Sequence, residues 1–88
     1  MTLRIDKWVS WYSHDDKINE AYLTVFEDYL NNKLGVQGKL HAIEVCDSLG
    51  IIRGDYIYGP VFIYDKNLRL RLDYKKFDDH WEVVVRYN

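Results

Sequence analysis

Asn67-Leu68-Arg69-Leu70-Arg71-Leu72-Asp73-Tyr74 locates the core of this chain. Leu68, Leu70, Leu72 and Tyr74 alternate with Arg69, Arg71 and Asp73. A period of two sends successive side chains to opposite faces of a sheet, so residues 67–74 predict a half-buried β-strand. Its apolar side demands a core, and its charged side demands water or a partner. Upstream, residues 55–64 are dense in β-formers, and Gly59-Pro60 implies an edge position or a bulge, because proline has no N–H to give to a ladder. Asp65-Lys66-Asn67 supplies the turn between the two. Downstream, Phe77-Asp78-Asp79 leads into a last strand, 80–87, on which Trp81, Val83, Val85 and Tyr87 share a face. The carboxyl-terminal third therefore predicts three consecutive antiparallel strands in a meander.

The amino-terminal half must supply what covers them. Leu3, Ile5, Val9 and Trp11 share one parity and Trp8 and Tyr12 the other, which predicts a first strand over 3–12. Ser13 followed by Asp16 resembles a capping box and sets a helix start near His14. Ile18, Ala21, Tyr22, Val25, Phe26, Tyr29 and Leu30 recur at three- and four-residue intervals as one wide apolar stripe, and Gly35 is placed to end the helix. Residues 39–49 are ambiguous. Leu40 and Ala42 fit a strand, but Ala42, Val45, Cys46 and Leu49 follow helical spacing with Gly50 behind them, which favours a short helix. The order is β-α-(α)-β-β-β, a single α+β domain over residues 1–88 in which an amphipathic helix packs on one face of an antiparallel sheet.

With 88 residues, 48% hydrophobic and 30% charged, the chain suffices for one core and not for two. No apolar run approaches the roughly 18 residues of a membrane span, and Met1-Thr2-Leu3-Arg4-Ile5-Asp6 lacks a signal-peptide core, so the expected location is the cytoplasm. A single cysteine, Cys46, excludes an internal disulfide, and its apolar neighbours suggest a small buried hydrophobe. The net charge of −2 argues against bulk electrostatic binding of nucleic acid. Charge is nevertheless uneven. Residues 13–33 carry −3 through Asp15, Asp16, Glu20, Glu27 and Asp28, and residues 66–76 carry +4.

Placing Ile57, Val61, Ile63, Leu68, Leu70, Leu72, Tyr74, Trp81, Val83 and Val85 inward leaves Tyr56, Tyr58, Phe62, Tyr64, Arg69, Arg71, Lys75, Val84 and Arg86 outward. Tyrosine and arginine bring contact area, a polar handle and a planar fork to interfaces, so Tyr56, Tyr58, Phe62, Tyr64, Arg69, Arg71 and Arg86 form a candidate binding face. The same residues also suit cross-strand pairing or a homodimer seam. His14, His41 and His80 are scattered without ligand spacing, and neither a Gly-rich phosphate loop nor a Ser/His/Asp set is recognisable. No metal, cofactor or catalytic residue is expected.

Arg71-Leu72-Asp73-Tyr74, Asp78-Asp79 and Arg86-Tyr87 resemble the closing strands of RelE/YoeB-type ribonuclease toxins, which share the β-α-α-β-β-β order. The resemblance covers about twenty residues and implies ribonuclease activity with Arg71 stabilising the phosphate. Asn88 stands where the YoeB branch has a terminal histidine, and the strong basic charge of that family is absent. The leading expectation is therefore a small non-enzymatic binding protein, an immunity-type or phage-encoded anti-defence inhibitor. It would occlude a protein partner with the Tyr/Arg face or, as a phosphate mimic, with the acidic helix. The ribonuclease and a structural homo-oligomer subunit are the alternatives.

Overall fold

The computed structural model describes residues 1–51 and 59–88. Its elements are β1 (Thr2–Ile5), α1 (Asp16–Gln37), β2 (Lys39–His41), α2 (Ala42–Ser48), β3 (Val61–Ile63), β4 (Leu70–Lys76) and β5 (Trp81–Tyr87). The fold is α+β, with antiparallel strands and a helix packed against the sheet. The leucine/arginine stretch is β4, and it forms a hairpin with β5 from Leu70↔Tyr87 to Lys76↔Trp81. On the far side of β5 lies β1, whose Leu3 and Ile5 face Val83 and Trp81, so the main sheet runs β1-β5-β4. Leu3, Ile5, Leu70, Leu72, Trp81 and Val83 all point to one side and are buried there against Leu23, Leu30 and Leu34 of α1.

β3, the first of the three carboxyl-terminal strands, pairs with β2 rather than with β4. The reason lies at the free edge of β4. Leu70 donates its N–H to Asn31 Oδ1 at 2.8 Å and accepts from Asn31 Nδ2 at 2.9 Å, and the Leu72 N–H donates to Glu27 Oε2 at 3.0 Å. Side chains of α1 thus occupy the backbone groups that a further strand would need. β3 is tied instead to the end of β5, where the Tyr87 hydroxyl accepts from the Asp65 N–H at 2.8 Å and donates to the Ile63 carbonyl at 2.6 Å.

This pairing reverses the expected parity of β3. Phe62 lies directly opposite Leu40 of β2, and residues opposite one another share a face. Leu40 is fully buried, so Phe62 turns inward to 8% exposure, while Val61 and Ile63, expected inside, are exposed. Leu68 and Tyr74 are also partly exposed rather than buried. The expected inward Ile57 lies outside the described residues.

Three local boundaries differ from the sequence reading. The first strand stops at Ile5 because the Asp6 carboxylate accepts from the Trp8 N–H at 3.0 Å and turns the chain away from the ladder. Two successive turns follow, Val9 N–H to Asp6 O and Tyr12 N–H to Val9 O. They return Val9 to the core and bring Trp11 Nε1 to the Leu49 carbonyl at 2.8 Å. The N-cap of α1 is Asp15, which accepts from the Lys17 N–H, while Ser13 supports it one step earlier by accepting from the Asp15 N–H. Residues 39–49 resolve into both readings, a short strand and then a short helix.

The far end of α1 also moves. The helix passes through Gly35 and ends at Gly38, whose φ of 81° lets its N–H reach the Leu34 carbonyl. Among the described residues, a Cβ at Gly35 would meet only Tyr64 Cε2, at an ordinary 3.9 Å. Gly35→Ala is therefore expected to stabilise the protein by about 0.5–1 kcal/mol through helix propensity. Gly38→Ala is expected to destabilise it by about 1 kcal/mol, because an L side chain is strained at that φ. Urea unfolding of the two single variants should give opposite signs; equal signs would contradict this placement of the helix end.

Candidate functional site

The uneven charge of the chain is largely neutralised within the fold. Because α1 runs along the edge of β4, the acidic and basic segments face each other. Lys76 Nζ lies 3.0 Å from Glu20 Oε1 and 3.3 Å from Asp16 Oδ2, and Arg69 pairs with Asp28 at 2.5 Å and Glu27 at 3.6 Å. Lys76, with help from the Tyr74 hydroxyl, holds the Glu20 carboxyl below the usual carboxylate range, and Glu20 in turn raises the ammonium pKa of Lys76. Each exposed pair contributes little stability alone. Together they engage four of the five carboxylates that the phosphate-mimic expectation needed, and the fifth, Asp15, caps the helix.

The candidate Tyr/Arg face is divided by the same geometry. Tyr56 and Tyr58 lie outside the described residues. Phe62 belongs to the core, where its ring meets Tyr87 edge-on at 5.7 Å, so its assignment to the surface is corrected; the pairing of β3 with β2 decided its direction. Tyr64 is exposed, but beside Gly35 near the end of α1. Arg69 reaches across the edge of β4 to the helix. Among the described members of the face, Arg71 and Arg86 meet, directly opposite each other on β4 and β5 and pointing away from the buried leucines and valines.

Around them is an exposed, polar sheet face. Arg71 Nε donates to Asn88 Oδ1 at 2.9 Å, and Arg86 Nε pairs with Asp73 Oδ2 at 2.8 Å. Farther along, Arg4, Glu82 and Lys75 form a cross-strand row of alternating charge. Like charges placed directly opposite across a ladder are destabilising, and here one carboxylate and one amide offset two guanidinium groups. The guanidinium planes retain unused donors on the open side, an arrangement suited to carboxylate or phosphate groups of another molecule.

Two other groups with chemical potential are accounted for structurally. Cys46 is buried in the core, and burial pushes its thiol up to about 11, which keeps it protonated and inert at neutral pH. Asp79 accepts from His80 Nδ1 at 2.7 Å in the β4–β5 turn, and His80 holds that carboxyl below its ordinary value while its ring stacks on Phe77.

A further surface escaped the sequence reading. Ile18, Tyr22, Val25 and Tyr29, expected to face the core, lie on the exposed side of α1. The helix is turned by roughly 100° from the expected orientation and buries Asn19, Leu23, Leu30 and Leu34. The missed signal is that its apolar residues cover more than half of its circumference, more than one sheet can bury.

Comparison of the chain with protein-family models, curated proteins and solved structures finds no match. Among the described residues, no helix is long and apolar enough to cross a membrane.

Proposed function

We propose that this chain is a small non-enzymatic protein-binding module, an inhibitor of the immunity or anti-defence type. It acts by covering an acidic surface of a partner protein with its open sheet face. The observation that carries the reading is the opposed pair Arg71 and Arg86, held on an exposed face at a cost to the fold and left with donors to spare. The acidic helix is the weaker mode, because its carboxylates are already paired with Arg69 and Lys76. Arg69, engaged by α1, supports the fold rather than the interface.

The test is affinity capture from the native host, followed by measured binding of the captured protein. Arg71→Glu with Arg86→Glu is expected to weaken binding at least about thirtyfold, the equivalent of losing one interface hot spot. Thermal unfolding should change little, since both side chains are exposed. Unchanged affinity would refute the sheet face as the interface. RNA cleavage by the purified protein that disappears in Arg71→Ala would establish the ribonuclease reading instead.

A further inference from the structure

The outer side of α1 carries a second inference, independent of the sheet face. Ile18, Tyr22, Val25 and Tyr29 follow one another at intervals of four, three and four residues. That is the spacing of a helix–helix seam, in which side chains of one helix enter holes on another. All four are exposed, Val25 at 63% and Tyr29 at 50%, and Ile18, Ala21, Tyr22 and Val25 line a shallow groove. No charged residue lies within the stripe. Charges flank it instead, Lys17 and Asp28 along one side and Asp15 and Lys33 along the other.

The flanking charges specify the occupant. When the stripe packs antiparallel on itself about a two-fold axis between Leu23 and Thr24, Ile18 meets Tyr29 of the second copy and Tyr22 meets its Val25. In such a pairing each flank faces the same flank of the other helix. Lys17 then falls within about 3 Å of the level of Asp28 in the second copy, and Asp15 within about 1.5 Å of the level of Lys33, from the rise per residue. Both flanks therefore bring opposite charges together. A parallel pairing would face each flank with the opposite one and leave Asp28 and Lys33 five residues, about 7.5 Å, apart in level, so it would keep only one of the two charge matches. Asp28 and Lys33 already contact Arg69 and Glu44 within their own chain, and the Asp28 side chain remains 65% exposed toward the outside.

We infer that α1 is a self-association surface through which two copies of this chain pair as an antiparallel, two-fold symmetric dimer. The stripe is shorter than an obligate interface, so the dimer forms reversibly, at micromolar concentrations. In the dimer the open sheet faces remain free, and a partner can engage either copy.

Sedimentation velocity of the full chain from about 1 to 300 µM tests this. The expected result is a monomer at the low end and a dimer at the high end. Val25→Glu, next to the axis, is expected to raise the dissociation constant at least a hundredfold with unchanged circular dichroism, because the Val25 side chain is 63% exposed. Lys17→Glu alone is expected to weaken the dimer about tenfold, and adding Asp28→Lys is expected to restore it. A monomer at every concentration would overturn the inference. So would a dimer indifferent to Val25→Glu, or one that the Lys17→Glu and Asp28→Lys exchange fails to restore.

Discussion

Asn19→Leu is expected to destabilise the protein by about 3 kcal/mol, even though it replaces a fully buried polar side chain with an apolar one of similar size. Asn19 Oδ1 accepts from the Ser13 N–H at 2.8 Å, and its Nδ2 donates to the Ser13 carbonyl at 2.8 Å. One carboxamide thereby satisfies both backbone groups of the residue leading into the helix. Leucine would leave that N–H and that carbonyl without these partners, and each loss costs about 1–3 kcal/mol, more than the added apolar contact returns. The urea midpoint should fall by about 2 M. An unchanged or raised midpoint would show that the amide plays no part in holding the helix.

Trp81→Ala should be larger, about 4 kcal/mol. Trp81 is 2% exposed, lies opposite Ile5 on one side and Lys76 on the other, and stacks on Tyr74 with ring centroids 4.9 Å apart. Lys76 Nζ sits 5.3 Å above the same ring, so the truncation removes a cation–π contact as well as core volume. Chains of this length have a total stability of roughly 4–13 kcal/mol, so the truncation removes about a third or more of it. Trp81→Phe should lose about half as much. Equilibrium unfolding followed by circular dichroism ranks the two, and a loss below about 1 kcal/mol for Trp81→Ala would contradict the position of this ring at the centre of the sheet.

Asn19 and Asn31 also show why the orientation of α1 was hidden. Both use the carboxamide in the same way, Asn19 on Ser13 and Asn31 on Leu70, and each fastens a different piece of backbone to the helix. In the sequence they are two polar residues on a helix whose apolar residues cover more than half of its circumference. Apolar periodicity alone selected the face with the most hydrophobic side chains. In the fold, the face that satisfies the edge of β4 lies against the sheet, and the richer stripe is left outside.

The candidate site was legible to the extent that it depends on one hairpin. Arg71 and Arg86 were placed outward by the alternation of β4 and β5, and the hairpin connects these strands through a short turn that fixes their pairing. Phe62 and Arg69 were misplaced for reasons that lie elsewhere in the chain. Phe62 follows Leu40, about twenty residues earlier, and Arg69 follows Glu27 and Asp28 on a helix more than forty residues away in sequence. Neither partner can be read from the local pattern.

The α+β class, the existence of α1, the β4–β5 hairpin and the leucines and valines of its buried side are legible in the order of residues alone. All of these rest on periodicities of two and 3.6 and on turn chemistry, which act between near neighbours. That β3 joins β2, that α1 closes the edge of β4, that Arg69 and Lys76 engage the carboxylates of α1, and that its apolar stripe faces outward emerge only in the assembled fold. Each of these depends on which backbone hydrogen bonds remain to be satisfied once the hairpin has formed, and that is a property of the assembled sheet.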